Sequence, residues 1–161
     1  MVIKFLTLVF ALLLGSASAA SLEFRVDERC GLVQGEKRFD IGTDGPVLQE
    51  QLGAPTRQTT EDRGPGPTPS TILDYSKQAL SVAYYNTDRK LVQFHVQLTK
   101  NPDVTINGVK VTRDTRALIK SLGTPTKTTS YSATFVTPGC QVTILDFSKD
   151  HLLLFLNVLD F

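Results

Sequence analysis

Gln51–Thr60 reads QLGAPTRQTT, and seventy residues later Ser121–Ser130 reads SLGTPTKTTS. Working outward from this repeated phrase, the same offset puts Phe39 on Val109, Ile41 on Val111, Asp44 on Asp114, Leu48 on Leu118, Leu52 on Leu122, Gly53 on Gly123 and Pro55 on Pro125. Each copy has the marks of a short helix. Asp44 and Asp114 stand where a carboxylate caps free N–H groups, and the leucines are spaced i, i+4. Gly53 and Gly123 permit a left-handed stop, and the prolines two residues on forbid continuation. Helices of about two turns are not stable alone and must lie on something.

At an offset of 72 the repetition continues, TILDYSK over 71–77 against TILDFSK over 143–149. Both read as strand ends running through a Ser-Lys turn into second strands, ALSVAYYN and HLLLFLN, with apolar positions at period two. KLVQFHVQL supplies a third strand in the first copy, whereas in the second, which runs to VLDF, the third strand is expected to be missing or fused with the one before. Asn107-Gly108 in VTINGVKV is a two-residue hairpin signal that pairs Ile106 with Val109. GLVQGEKRFDI is its looser counterpart around Gln34 to Lys37. The expected fold is α+β: two tandem repeats of short helix plus antiparallel strand meander, with the helices packed on one side of the sheet.

The first twenty residues, MVIKFLTLVFALLLGSASAA, hold one cation at Lys4, an apolar run from Phe5 to Leu14, and Ala17 and Ala19 spaced as a cleavage signal. That is a secretory leader over 1–20. The apolar run is too short for a membrane span of roughly 30 Å. The organisation expected is 1–20 leader, 21–102 N-terminal segment and first repeat, and 103–161 second repeat, all one compact unit. Removing Lys4 leaves equal numbers of basic and acidic residues, so no basic field exists for nucleic acid or an anionic membrane. No cysteine follows the cleavage site directly, so no stable membrane anchor is expected. Cys30 and Cys140 are the pair that an exported chain oxidises to one disulfide, with two buried free thiols as the alternative. The absence of an N-x-Ser/Thr sequon favours a periplasmic over a eukaryotic secreted destination.

A short helix closed by LG-x-P and followed by a strand meander, duplicated in an exported chain, resembles the tandem-repeat fold of the periplasmic β-lactamase inhibitor protein. It also resembles the small lipoprotein domain of the outer-membrane β-barrel assembly machinery. The likeness covers most of 37–161, and its specific letters are LGAP and LGTP. The chain departs from these relatives in having no lipobox and no tryptophan. The resemblance implies a secreted domain that binds another protein.

The residues name no catalytic chemistry. His95 lies among Gln93 and Gln97 on the strand face opposite the apolar one and reads as solvent-facing, and His151 reads as a turn residue. Asp74 and Asp146 occupy equivalent repeat positions, where a carboxylate commonly accepts backbone N–H groups. No nucleophile elbow, zinc-ligand spacing or phosphate loop is present, so no enzyme, no metal and no cofactor is expected. RQTTEDRGPGPTPST, Arg57 to Thr71, reads as an exposed loop because its prolines and glycines disrupt pairing. The expected binding residues are Arg57, Glu61, Asp62 and Arg63 on that loop, with Tyr84 or Tyr85 as the outward anchor of an alternating strand. HLLLFLNVLDF is apolar on both faces, which fits a strand between the helix layer and a partner's surface. The function expected is an exported protein-binding module, an inhibitor or immunity-type protein that blocks a toxin or hydrolase. An accessory factor of envelope assembly and a secreted hydrolase are the alternatives.

Overall fold

In the computed structural model, residues 21–62, 68–146 and 151–158 are described; the leader expected over 1–20 lies outside them, as do Arg63, the Ser148-Lys149 turn and Phe161. The described chain is mostly β. It begins with strands β1 (Leu22–Val26), β2 (Cys30–Gln34) and β3 (Lys37–Asp40), then helix α1 (Gly45–Leu52). Four strands follow: β4 (Arg57–Glu61), β5 (Ser70–Tyr75), β6 (Leu80–Tyr85) and β7 (Leu91–Gln97). The second copy opens with β8 (Val104–Ile106), β9 (Val109–Lys110) and helix α2 (Arg116–Leu122). It closes with β10 (Lys127–Thr128), β11 (Ser132–Val136), β12 (Gln141–Asp146) and β13 (Leu152–Asn157).

These strands make two sheets, a five-stranded one in the order β3-β2-β1-β8-β9 and an eight-stranded one in the order β10-β11-β12-β13-β7-β6-β5-β4. This corrects the α+β expectation: a second sheet, rather than a helix layer, accompanies the large sheet. Size explains why. A helix of eight residues is about 12 Å long, whereas eight strands at about 4.8 Å spacing span about 34 Å. Two short helices cannot cover that width. The segment that changes the outcome is LEFRV. As β1 it pairs antiparallel with β2 and parallel with β8, joining the opening hairpins of the two copies into one sheet. Either hairpin alone would be marginal.

Asn107 holds that junction. Its backbone takes φ 51° beside Gly108 at φ 76°, both left-handed as a tight two-residue hairpin turn requires. Its side-chain carboxamide accepts from Val26 N–H at 2.9 Å and donates to Val26 C=O at 2.8 Å, extending the parallel ladder by one rung. The expected Ile106 to Val109 pairing is present, and the looser counterpart turns at Gly35-Glu36 between Gln34 and Lys37.

One apolar cluster joins the two sheets and both helices. Phe24 of β1 meets Phe94 of β7 edge to face at 5.6 Å. Leu48 and Leu118 are buried, and Leu52 and Leu122 pack half-buried beside them. The helix stops are alike: the N–H of Gly53 reaches Gln49 C=O and that of Gly123 reaches Ile119 C=O. The glycines have φ 81° and 87° with ψ near 180°, a region essentially closed to other residues. The helix starts differ. Asp114 accepts the N–H of Arg116 at 3.1 Å, whereas Asp44 makes no side-chain cap. In the first copy the Gly45 N–H is instead taken by Arg89 C=O, and the segment around Asp44 pairs with Lys90.

The copies also differ where their letters agree. In Thr71-Ile72-Leu73-Asp74, Thr71 and Leu73 are buried; in Thr143-Ile144-Leu145-Asp146 it is Ile144 that is buried, with the other three half-buried. Identical tetrapeptides thus present opposite faces. Tyr75 pairs with Leu80 to close the first hairpin, but Asp146 pairs with Leu152 to close the second, which is one residue longer between its paired ends. A one-residue slip turns every side chain over. Asp146 accordingly meets Arg113 at 3.1 Å on the side that carries α2, and Asp74 stands on the other face. Their expected equivalence does not extend to their surroundings.

Arg57–Glu61 is likewise a strand and not part of a loop. The prolines and glycines begin only beyond it, and RQTTE pairs with Ser70–Asp74 as the edge of the large sheet. No third strand follows β13 among the described residues, so β7 sits between the copies and pairs with β13 directly. Cys30 and Cys140 form the disulfide, with Cα atoms 5.9 Å apart, linking β2 of the small sheet to the residue before β12 of the large one. Gly139 permits this approach, since a Cβ there would run into the backbone of Glu28 and Arg29.

Candidate functional site: the outer face of the large sheet

Directly opposed residues of an antiparallel ladder share a face. Following the register strand by strand gives a row across the whole sheet: Arg57, Asp74, Ser81, His95, Phe155, Thr143, Thr134 and Lys127. It lies on the face turned away from the core, because its neighbours along each strand, such as Leu73, Val82, Phe94, Leu154 and Val142, are the buried ones. Polar contacts knit it together. Ser81 Oγ donates to Asp74 Oδ1 at 2.6 Å, and the hydroxyls of Thr134 and Thr143 meet at 3.2 Å.

At the centre of the row, where the two copies join, His95 stacks on Phe155 with centroids 4.5 Å apart and planes 5° from parallel. The His95 Nε2 atom is buried with no hydrogen-bond partner among the described residues. Leu153 and Leu145 continue the apolar patch on β13 and β12, both half-buried. Charge is nearly absent here. On the outer face of β5, β6, β7, β13 and β12 the residues are Ser70, Ile72, Asp74, Ser81, Ala83, Tyr85, Gln93, His95, Gln97, Leu153, Phe155, Asn157, Gln141, Thr143 and Leu145, with Asp74 the one carboxylate and no lysine or arginine. Arg57, Glu61 and Lys127 stand on the edge strands. Long charged side chains at an edge discourage further strands from adding there.

Over the first copy this face dips into a furrow of about 530 Å³. Arg57, Thr59 and Glu61 of β4 form one wall and Gln93, His95 and Gln97 of β7 the other, with Ile72, Asp74, Ser81 and Ala83 beneath. Asp, Ser and His are adjacent here, yet not as a charge relay. In a nucleophilic triad the imidazole stands between serine and carboxylate. Here the Ser81 hydroxyl donates its hydrogen bond directly to Asp74, and the imidazole Nε2 is shut away. Among the described residues no group of three metal-ligating side chains occurs.

Burial holds the His95 imidazole below its ordinary value of 6.5, and Asp74 opposes this more weakly. The unfolded chain therefore takes up a proton near 6.5 while the folded one resists it, so stability is complete above that pH and declines as pH falls below it. Asp27 and Asp114, held below the usual carboxylate range by Arg38 and Arg116, titrate outside this window. The expected result is a urea midpoint that drops between about pH 7 and pH 5, with a shallower drop in His95→Gln. Equal slopes in the two proteins would show that His95 is not the group responsible.

The residues expected to bind are divided by the fold. Arg57 and Glu61 line the furrow, and Asp62 follows β4 in an exposed position. Tyr85 is on the outer face, opposite Ser70. Tyr84 points inward, where its ring lies against Gly45 of α1 so closely that a Cβ there would clash. His95 does face outward with Gln93 and Gln97, but in a stack. The main feature not anticipated is Phe155. HLLLFLN, with apolar residues on both faces, was the available signal, and the His95 partnership needed the β7–β13 register. No protein-family model matches the chain, and neither a curated protein nor a solved structure matches it.

Proposed function

We propose that this chain is an exported protein-binding module that docks its partner on the outer face of the eight-stranded sheet. The observation carrying this reading is the stacked His95–Phe155 pair, set among half-buried Leu145 and Leu153 in a field with one charge, while other charges stand at the edges. Interface centres are depleted in charge and enriched in aromatic residues, and their anchors lie centrally. The face measures about 34 Å across the strands and about 17 Å along them, the order of a standard one-sided patch. The buried disulfide is compatible with an oxidising compartment, and with the leader it supports a periplasmic or secreted site of action. That the partner is a toxin or hydrolase held inactive rests on the resemblance of the duplicated LG-x-P phrase to a two-copy inhibitor fold.

The experiment is hydroxyl-radical footprinting of side chains, with the tagged protein free and bound to whatever it captures from its own envelope extract. Phe155, Tyr85 and Leu153 are expected to become protected. Tyr131 and Val47, which are 49% and 50% exposed and do not lie on this face, are expected to stay reactive. Protection of Tyr131 and Val47 with Phe155 unchanged would move the docking site elsewhere.

A further inference from the structure

The furrow over the first copy differs from the rest of the outer face in shape and in charge. Its floor is low because the side chains that β6 turns to this face are the short ones of Ser81 and Ala83, while β4 and β7 raise longer side chains on both sides. β4 and β7 are three strand spacings apart, about 14 Å between backbones. Once wall side chains are allowed for, a helix of about 10–12 Å diameter is too wide, and a single extended chain fits. On the β7 wall, Gln93 and Gln97 stand four residues apart, about 14 Å, with His95 between them. Their carboxamides thus repeat at a multiple of the two-residue period of an extended peptide, whose N–H and C=O groups they can both serve.

The charges indicate what such a segment carries. Asp74, on the floor, accepts one side-chain hydrogen bond, from Ser81, and a carboxylate has capacity for about four. Arg57 is its direct cross-strand neighbour, yet Arg57 forms no ion pair among the described residues. Glu61 adds a second carboxylate on the same wall, so the furrow holds two acids against one guanidinium. We propose that this furrow seats an extended segment of the protein partner that places a lysine or arginine over Asp74. The inference rests on the docking role proposed above and specifies the partner's chemistry at one end of the face. Lysine or arginine here completes the hydrogen bonding of a carboxylate that forms no ion pair with the neighbouring Arg57, which gives it specificity beyond the apolar patch.

The test is a displayed library of random linear octapeptides, selected on the immobilised disulfide-bonded protein. The recovered peptides are expected to converge on one fixed basic position. A recovered peptide should bind about tenfold or more weakly when its basic residue becomes methionine, and by a similar factor to Asp74→Asn. Gln97→Lys, which puts a cation on the opposite wall, provides a second variant with the same expected loss, and the thermal midpoint of each variant shows that it folds. Failure to recover convergent peptides, convergence without a basic position, or equal binding to Asp74→Asn overturns the proposal. Should that happen while the side-chain footprint still covers Phe155, only the furrow assignment falls. If Phe155 is unprotected as well, the docking face falls with it.

Discussion

Replacing both Cys30 and Cys140 by alanine is expected to lower stability by about 4–5 kcal/mol, the chain-entropy value for closing a loop of about a hundred residues. The two cysteines are 110 residues apart, so the bridge restricts most of the unfolded chain. It also joins the layers, since β2 belongs to the small sheet and β12 to the large one. Both cysteines are fully buried, so reduction needs the chain to open first. Against a typical domain stability of about 5–15 kcal/mol, such a loss takes about a quarter or more of the total. Urea denaturation of the double variant, with its slope checked for two-state behaviour, measures the effect. A loss below about 1 kcal/mol would mean that the layers are held by packing alone and that the unfolded chain is already compact.

Much of the local grammar was legible in the sequence. Asn107-Gly108 marked its hairpin, the two LG-x-P phrases marked helix ends at Gly53 and Gly123, and the chain's two cysteines marked their bridge. Each of these signals acts within a few residues or involves an unambiguous pair. The fold class was not legible, because it turns on LEFRV finding β8 eighty residues away, a parallel pairing that no turn announces. Nor was the slip between the two TILD segments. Thr-Ile-Leu-Asp offers an apolar residue to either face, and hairpin length decides which one is buried. RQTTE was hidden by the prolines after it, whose influence stops short of Glu61. At the candidate site, the alternation in VQFHVQL put His95 on the outer face, though not in open solvent, and HLLLFLN carried apolar residues on both of its faces. That these two meet is a property of the β7–β13 register alone, which brings His95 opposite Phe155.

The second large effect concerns binding. Phe155 lies at the middle of the outer face, and its ring stacks on an imidazole that burial keeps uncharged in neutral solution. Replacing it with arginine removes the aromatic anchor and puts a cation where the central strands have none. Loss of a central anchor typically costs about 2–4 kcal/mol of binding, roughly 30-fold or more in affinity. The replacement leaves the core-facing residues Leu154 and Leu156 in place, so the fold should persist, as a far-UV circular dichroism spectrum and a thermal midpoint would show. Val47→Arg, a half-exposed position on α1, is the matched control for an added charge. The most direct measurement is therefore the affinity of the wild-type protein, Phe155→Arg and Val47→Arg for the partner captured from envelope extract. The outer-face account predicts a loss of about 30-fold or more for Phe155→Arg and none for Val47→Arg. Wild-type affinity in a folded Phe155→Arg protein would contradict it.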